Sequence, residues 1–260
     1  MTERRPKPGR RAPQTWTARI CPCGGAVPFL RPAPRLWFLD LDDTLLASSG
    51  GLLHEVHLRM NAFLTGRMGM SEAEANRVRE KYWREYGSTF IGLWRLHGVD
   101  PREFLPEVHD FDYAPFVRET TNMRRLLGRL PGRRVLFTNG PRLYAERLLP
   151  HLGLEGFFDE VLSSTDMRLF GDWRPKPDVS MLLASCARLR EDPRRAVLVD
   201  DSLMNLKAAK AAGMRTVWCV GLRRRHARLA VPGGVPMAHP AADAVVRDAY
   251  ELVRIARSLG

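Results

Sequence analysis

The chain has 260 residues, 45% of them hydrophobic and 27% charged, which is ordinary for a globular protein with one large domain or a core domain carrying a smaller insertion. No apolar run approaches the roughly 20 residues that cross a bilayer, and the N-terminal region lacks the continuous apolar segment of a secretory signal. These features give no candidate membrane-spanning helix and make the cytoplasm the expected location.

The formal charge of +12 suggests a nucleic-acid binder until it is mapped. Residues 1–35 carry +7 and the run "RRRHAR", Arg223 to Arg228, carries +4, so the remainder is nearly neutral. A nucleic-acid role is therefore confined to nonspecific contact through the Arg-rich tail. Cys21 and Cys23 in "CPC" lack a second ligand pair at zinc-site spacing. Cys186 and Cys219 sit in apolar patterns and read as buried thiols.

In chain order, residues 1–34 are rich in Pro, Gly and Arg without apolar periodicity, and read as a disordered extension. The apolar run "LWFLD" predicts a first strand ending at Asp40. Helical patterns then fill 54–118, as in "HEVHLRMNAFL" and "SEAEANRVREKYWREYG". A second strand, "RVLFTNG", ends at Thr138, and "RLYAERLLPHLG" follows as a helix with Pro141 in its first turn. "FDEVLSST" is a third, shorter strand, "RAVLVDDS" a fourth and "RTVWCV" (215–220) a fifth. The helix "SLMNLKAAKAAG" has Ser202 as its N-cap and Gly213 as its end. The C-terminal "ADAVVRDAYELVRIARSL" supplies an edge strand and a closing helix.

Alternating strands and helices predict an α/β fold with a doubly wound parallel sheet. The first two strands are separated by roughly ninety residues, far more than the dozen or so that a crossover needs. The expected organisation is an α/β core over 35–53 and 119–260, with 54–118 inserted as an all-helical cap. Such an insertion belongs above the carboxyl edge of the sheet, where ligands bind in this architecture.

Four features fall at the carboxyl ends of predicted strands or in the loops beyond. They are Asp40 and Asp42 with Thr44, then Thr138 with Asn139, then Lys176 in "RPKPD", then Asp200 and Asp201. Clustered carboxylates are reasonable if a hard dication binds between them, and magnesium prefers a few carboxylates beside a phosphate. Asp40 is placed to attack phosphorus, and Asp42 to protonate the leaving oxygen and then activate water. Thr138, Asn139 and the following helix N-terminus can hold phosphoryl oxygens, while Lys176 offsets their charge. Asp43 reads as a solvated or capping residue, and Thr44 as a brace for the Asp40 loop. Asn205, four residues after Asp201, can reach back to orient that carboxylate.

With these residues the chain resembles the haloacid dehalogenase (HAD) superfamily, whose four motifs correspond to "DLDDT", "LFTNG", "RPKPD" and "VLVDDS" in order over residues 36–222. The resemblance implies a Rossmann-like core with a C1-type helical cap. It also implies a nucleophile at Asp40 and an acid/base at Asp42, a residue that dehalogenase members lack. Magnesium would then bind the Asp40 side chain, the Asp42 main-chain carbonyl and the Asp201 side chain, with Asp200 as a further ligand or acting through water. The stretches "YWREYGSTFIGLWRLHGVDPREF" and "FTNGPRLYAERLLPHLGLEGFFDEV" further resemble the pyrimidine 5′-nucleotidase branch. That implies a phosphomonoester substrate such as UMP or CMP. Two departures are the Arg-rich extension and the insertion "MRLFGDWRP" before Lys176.

In the cap, Tyr82, Tyr86 and His97 are candidates for contact with substrate, with packing as the alternative reading. His54 and His57 lie at i and i+3 but have no third ligand nearby, so a surface or hinge role is expected. Phosphoglycolate phosphatase, sugar phosphatase or phosphomutase activity would use the same core residues. A signalling receiver domain also combines clustered Asp, Thr and Lys, but its acidic pair comes first in the chain and it carries no insertion. A monomer or homodimer is expected.

Overall fold

The computed structural model describes residues 33–117, 122–222, 238–256 and 258–259, which all lie in one compact unit, Pro32–Gly260. The Arg-rich extension, the "CPC" cysteines and the "RRRHAR" run lie outside the described residues.

The expected strands form. β1 (Leu36–Leu39), β2 (Arg133–Phe137), β3 (Glu160–Leu162), β6 (Ala196–Asp200), β7 (Arg215–Cys219) and β8 (Ala244–Val246) make a six-stranded sheet in the order β3-β2-β1-β6-β7-β8. Every pairing in it is parallel. The order reverses at β1 and β6, which sit side by side although most of the chain separates them. That junction is the switch point at which ligands bind in open α/β sheets.

Strand alternation sorts the core into two layers. Trp37 and Leu39 point to the face that also holds Leu136, Val197, Val199 and Val217, covered by α6 (Arg142–His151) and α9 (Ala249–Ile255). Leu36 and Phe38 point the other way, onto α7 (Val179–Arg188) and α8 (Leu203–Ala211). All four β1 residues are completely buried, so the strand reads as a continuous apolar run rather than an alternating one.

Four helices fill the gap between β1 and the short α5 (Met123–Leu127). They are α1 (Leu52–Met68), α2 (Glu72–Tyr86), α3 (Thr89–His97) and α4 (Pro101–His109). Their starts carry local signals: Ser71 accepts from Glu74 N–H, and Asp100 accepts from Arg102 N–H ahead of Pro101. They enclose a third apolar core that includes Phe63, Tyr82, Phe90 and Phe104. α1 belongs to both layers, because Leu52 and Val56 pack on the sheet core while Phe63 and Leu64 enter the helical one.

The "MRLFGDWRP" insertion folds as a hairpin, β4 (Arg168–Leu169) with β5 (Asp172–Trp173). Phe170 and Gly171 at its tip have φ of 54° and 81°, as a type I′ turn demands. The hairpin closes on α3: the Trp173 ring meets Phe90 and Trp94 edge-on at 5.5 and 4.6 Å, and Arg95 pairs with Asp172. Among the described residues no helix is long and apolar enough to cross a membrane.

Candidate active site

The parallel register builds the site. Leu39 lies opposite Val199, and the Asp40 N–H still donates to the Val199 carbonyl at 3.0 Å, so Asp40 ends up beside Asp200 at the end of β6. Lys176, on the loop between β5 and α7, inserts between them. Its Nζ lies 2.8 Å from Asp40 Oδ1 and 2.7 Å from Asp200 Oδ2, with all three side chains at least nine-tenths buried. Burial alone would lower the lysine pKa, but the two carboxylates outweigh it and raise it.

Carboxylate oxygens of Asp40, Asp200 and Asp201 lie within 4.8 Å of one another. Three carboxylates against one ammonium leave a surplus of negative charge. Burial, followed by repulsion from Asp200, Asp201 and Asp42, raises the Asp40 pKa well above the usual carboxylate range despite the opposing pull of Lys176. An all-oxygen, net-anionic cluster at a sheet edge fits a hard dication such as magnesium. The Asp42 side chain is not part of it.

After Leu41 the chain turns. Asp43 takes a left-handed φ of 54°, which Asp tolerates better than most residues. It is buried rather than solvated: its carboxylate accepts the Ser49 N–H at 3.0 Å and pairs with the hydroxyls of Ser48 and Ser49. Asp43 thus holds the turn over Ser48–Gly50 that leads into α1, while the N-cap positions fall to Ala47 and Gly51. The Thr44 hydroxyl does not brace the loop; Oγ1 is buried without a hydrogen-bond partner among the described residues. Asp42 turns toward α6, where its Oδ1 accepts the Tyr144 hydroxyl at 2.6 Å. Burial raises the Asp42 pKa, and hydrogen bonds from Tyr144 and Ser48 partly oppose that.

Thr138 is completely buried, and its Oγ1 accepts the Gly140 N–H at 2.9 Å, which leaves the hydroxyl hydrogen for another acceptor. Pro141 occupies the N-cap of α6 rather than its first turn. Asn139, expected to face substrate, spends its carboxamide on the main chain. Nδ2 donates to the Lys176 carbonyl at 2.8 Å, and Oδ1 accepts the Lys176 N–H at 3.0 Å.

The metal-side scaffold differs from the expectation. Asn205, expected to orient Asp201, places Nδ2 3.0 Å from both oxygens of Asp200. Helical side chains tilt toward the N-terminus, and the bend at Asp201 puts Asp200 under that tilt. Ser202 takes the N-cap position without a side-chain cap bond; its N–H donates instead to Asp200 Oδ1 at 2.8 Å. Asp201 is steadied through its main chain, where the carbonyl accepts Trp218 Nε1–H at 2.9 Å.

The helical insertion reaches this layer at the α2–α3 turn. Gly87, with φ of 73°, packs so closely that a Cβ would stand 2.8 Å from the Lys176 carbonyl oxygen. Tyr86 immediately precedes this glycine in the chain. Its ring is tilted against Tyr82, with centroids 5.9 Å apart, and lies under the Arg95 guanidinium. Tyr82 and His97 serve each other, with the phenol oxygen 2.7 Å from His97 Nε2. His54 and His57 join no group of potential metal ligands among the described residues. Burial, then Arg79 and His54, depresses the His57 pKa to about 4. Cys186 and Cys219 are buried free thiols, as their apolar surroundings predict.

Tyr144 and Trp218 escaped the sequence reading because each looks like a core aromatic in an amphipathic helix or strand. Only the partners, 102 and 17 residues away, give them a role.

A family model described as "haloacid dehalogenase-like hydrolase" matches residues 34–213. The chain belongs to this hydrolase family. Among its HAD relatives, the Validoxylamine A 7′-phosphate phosphatase of Streptomyces hygroscopicus subsp. limoneus is 32% identical over 149 residues, 55% of the chain and 65% of the relative. The Phosphoglycolate phosphatase of Pseudomonas putida is 27% identical over 205 residues, 73% of the chain and 69% of the relative. Phosphate metabolism protein 8 of Saccharomyces cerevisiae is 25% identical over 196 residues, 70% of the chain and 60% of the relative. The chain therefore spans less than two thirds of the yeast and Streptomyces relatives. In three dimensions it is similar to a HAD phosphatase from Thermococcus onnurineus, with a TM-score of 0.56 and 24% identity over 85% of the chain and 97% of that structure. That likeness carries the fold.

Proposed function

We propose that this HAD hydrolase is a magnesium-dependent phosphomonoesterase that works through an aspartyl-phosphate on Asp40. The observation that carries the reading is the separation of two carboxylates only two residues apart. Asp40 joins Lys176, Asp200 and Asp201, whereas Asp42 is drawn away to Tyr144. Carboxylates in different environments suit different roles.

In the first step an Asp40 oxygen bonds to phosphorus, the bond from phosphorus to the ester oxygen breaks, and Asp42 gives its proton to the departing alkoxide. In the second, water attacks the same phosphorus and loses a proton to Asp42. The bond to Asp40 then breaks, releasing phosphate and regenerating both carboxyl groups. Thr138 donates to a phosphoryl oxygen, and Lys176 keeps Asp40 paired with positive charge. Asp40, Asp200 and Asp201, with the Asp42 main-chain carbonyl, would hold magnesium, which offsets the carboxylate charge and attracts phosphoryl oxygens.

The relatives support a small phosphorylated metabolite, such as phosphoglycolate or a carbohydrate phosphate, ahead of a nucleotide. The pyrimidine 5′-monophosphate reading rests on the stretches that resemble that branch and on Tyr86, an aromatic residue at the end of α2. Tyr86 and the α2–α3 turn would shape the leaving-group side of the pocket, with the four-helix insertion as its cap. A panel of phosphoglycolate, hexose phosphates, UMP, CMP and AMP, assayed with and without magnesium, tests both readings. A kcat/KM preference of about tenfold or more for UMP and CMP, worth about 1.4 kcal/mol, would restore the nucleotidase assignment. No turnover of any phosphomonoester in magnesium would overturn the phosphatase reading.

A further inference from the structure

Tyr144 stands outside the four motifs, yet its hydroxyl donates to the side chain assigned here as acid and base. Its ring is packed against three residues. Toward the Thr138 loop it rests on Gly140, where a Cβ would stand 2.7 Å from the ring carbon Cδ1. The rings of His109 and Tyr113 meet it edge-on at 5.3 and 5.9 Å.

Those two residues are themselves fixed. His109 Nδ1 bonds to the Leu105 carbonyl at 3.0 Å, and the His109 carbonyl accepts both the Tyr113 hydroxyl at 2.9 Å and Arg147 at 2.7 Å. Arg147 lies on α6, one turn after Tyr144. A buried phenol needs some acceptor, but nothing about packing requires that acceptor to be Asp42.

Building on the phosphatase reading, we propose that Tyr144 is a positioning residue for Asp42. Its bond to Oδ1, with Ser48 as the carboxyl's other hydrogen-bonding neighbour, fixes the carboxyl rotamer and so the direction in which it gives the proton to the leaving group and takes it from water. Because His109 and Tyr113 lie on the segment that returns from the helical insertion, the aim of Asp42 depends on how that segment is seated.

The test compares Tyr144→Phe with the parent enzyme in single-turnover phosphorylation, using an alkyl phosphate and p-nitrophenyl phosphate. Phenolate release reads the first step, which needs little acid help with so good a leaving group. The alkyl reaction should slow by roughly tenfold or more and the aryl reaction by about twofold or less, a split that reports proton donation. In an Asp42→Asn background the same change should have no further effect, because both act through one carboxyl.

His109→Ala, which removes one wall of the ring pocket and keeps the phenol, should give a weaker form of the same split. Equal slowing of both substrates, or additive losses with Asp42→Asn, would overturn the proposal. Full phosphorylation by Asp40→Asn would instead remove the underlying reading, whatever Tyr144 does.

Discussion

Asn139 holds Lys176 by its main chain at two points, the carbonyl at 2.8 Å and the N–H at 3.0 Å. The lysine that pairs with Asp40 and Asp200 is thus aimed by the residue following Thr138, so the two loops are tied together. Replacing Asn139 with Ala frees that loop without touching a charge. We expect kcat to fall about 10–100-fold, the range seen when outer-shell partners are removed. Steady-state kinetics beside a thermal melt checks this, and an unchanged kcat would show that the clamp is dispensable.

Lys176→Met leaves Asp40 and Asp200 buried without their counter-charge. The cost in chelator should be roughly 3–5 kcal/mol, as for other buried pairs broken on one side. Magnesium should recover part of it, because a dication supplies the missing charge. Denaturant unfolding in chelator and in magnesium measures both quantities; equal loss in the two conditions would contradict the electrostatic account.

Magnesium should stabilise the parent protein by about 2.7 kcal/mol at a concentration one hundred times its Kd. Asp201→Asn should weaken that binding, as should Asp200→Asn. Asn205→Ala should weaken it less, since it acts through Asp200. Titration calorimetry with the metal alone reads the order directly.

His109 gives the fold a defined acid sensitivity. Burial, followed by the nearby Arg147, depresses its pKa to about 4, although the Leu105 carbonyl opposes the shift. An unfolded histidine titrates near 6.5, so the unfolded chain binds more protons between those values and stability rises with pH there. The contribution is complete above pH ~6.5 and is lost on acidification toward pH ~4, amounting to no more than roughly 3 kcal/mol. His109→Gln should flatten the slope of unfolding free energy against pH across this window.

How much of this was legible in the chain depends on the range of the interaction. β1 was clear because four consecutive apolar residues precede Asp40, and all are buried. The edge strand at Ala244–Val246 and the closing helix also formed where the pattern put them. Asp40 and Asp200 come together because strand ends in a parallel sheet share an edge, and Lys176 reaches them from the loop after β5.

What sequence could not give was partner choice over a few ångströms. Asn205 reaches Asp200 because of one backbone bend. Asp43 is buried by two serines that look like ordinary loop residues. Thr44 lacks the bond expected of its hydroxyl, and Asn139 turns from substrate to scaffold. The Phe170–Gly171 hairpin was visible only as an insertion, since a bulky residue at positive φ is an uncommon turn signal.

The most direct test of the covalent reading is mass spectrometry of the enzyme acid-quenched within a single turnover of a phosphomonoester. The account predicts a phosphoryl adduct on the peptide containing Asp40, appearing before free phosphate and absent in Asp40→Asn. Phosphate release without any adduct, or an adduct on a different residue, would contradict it.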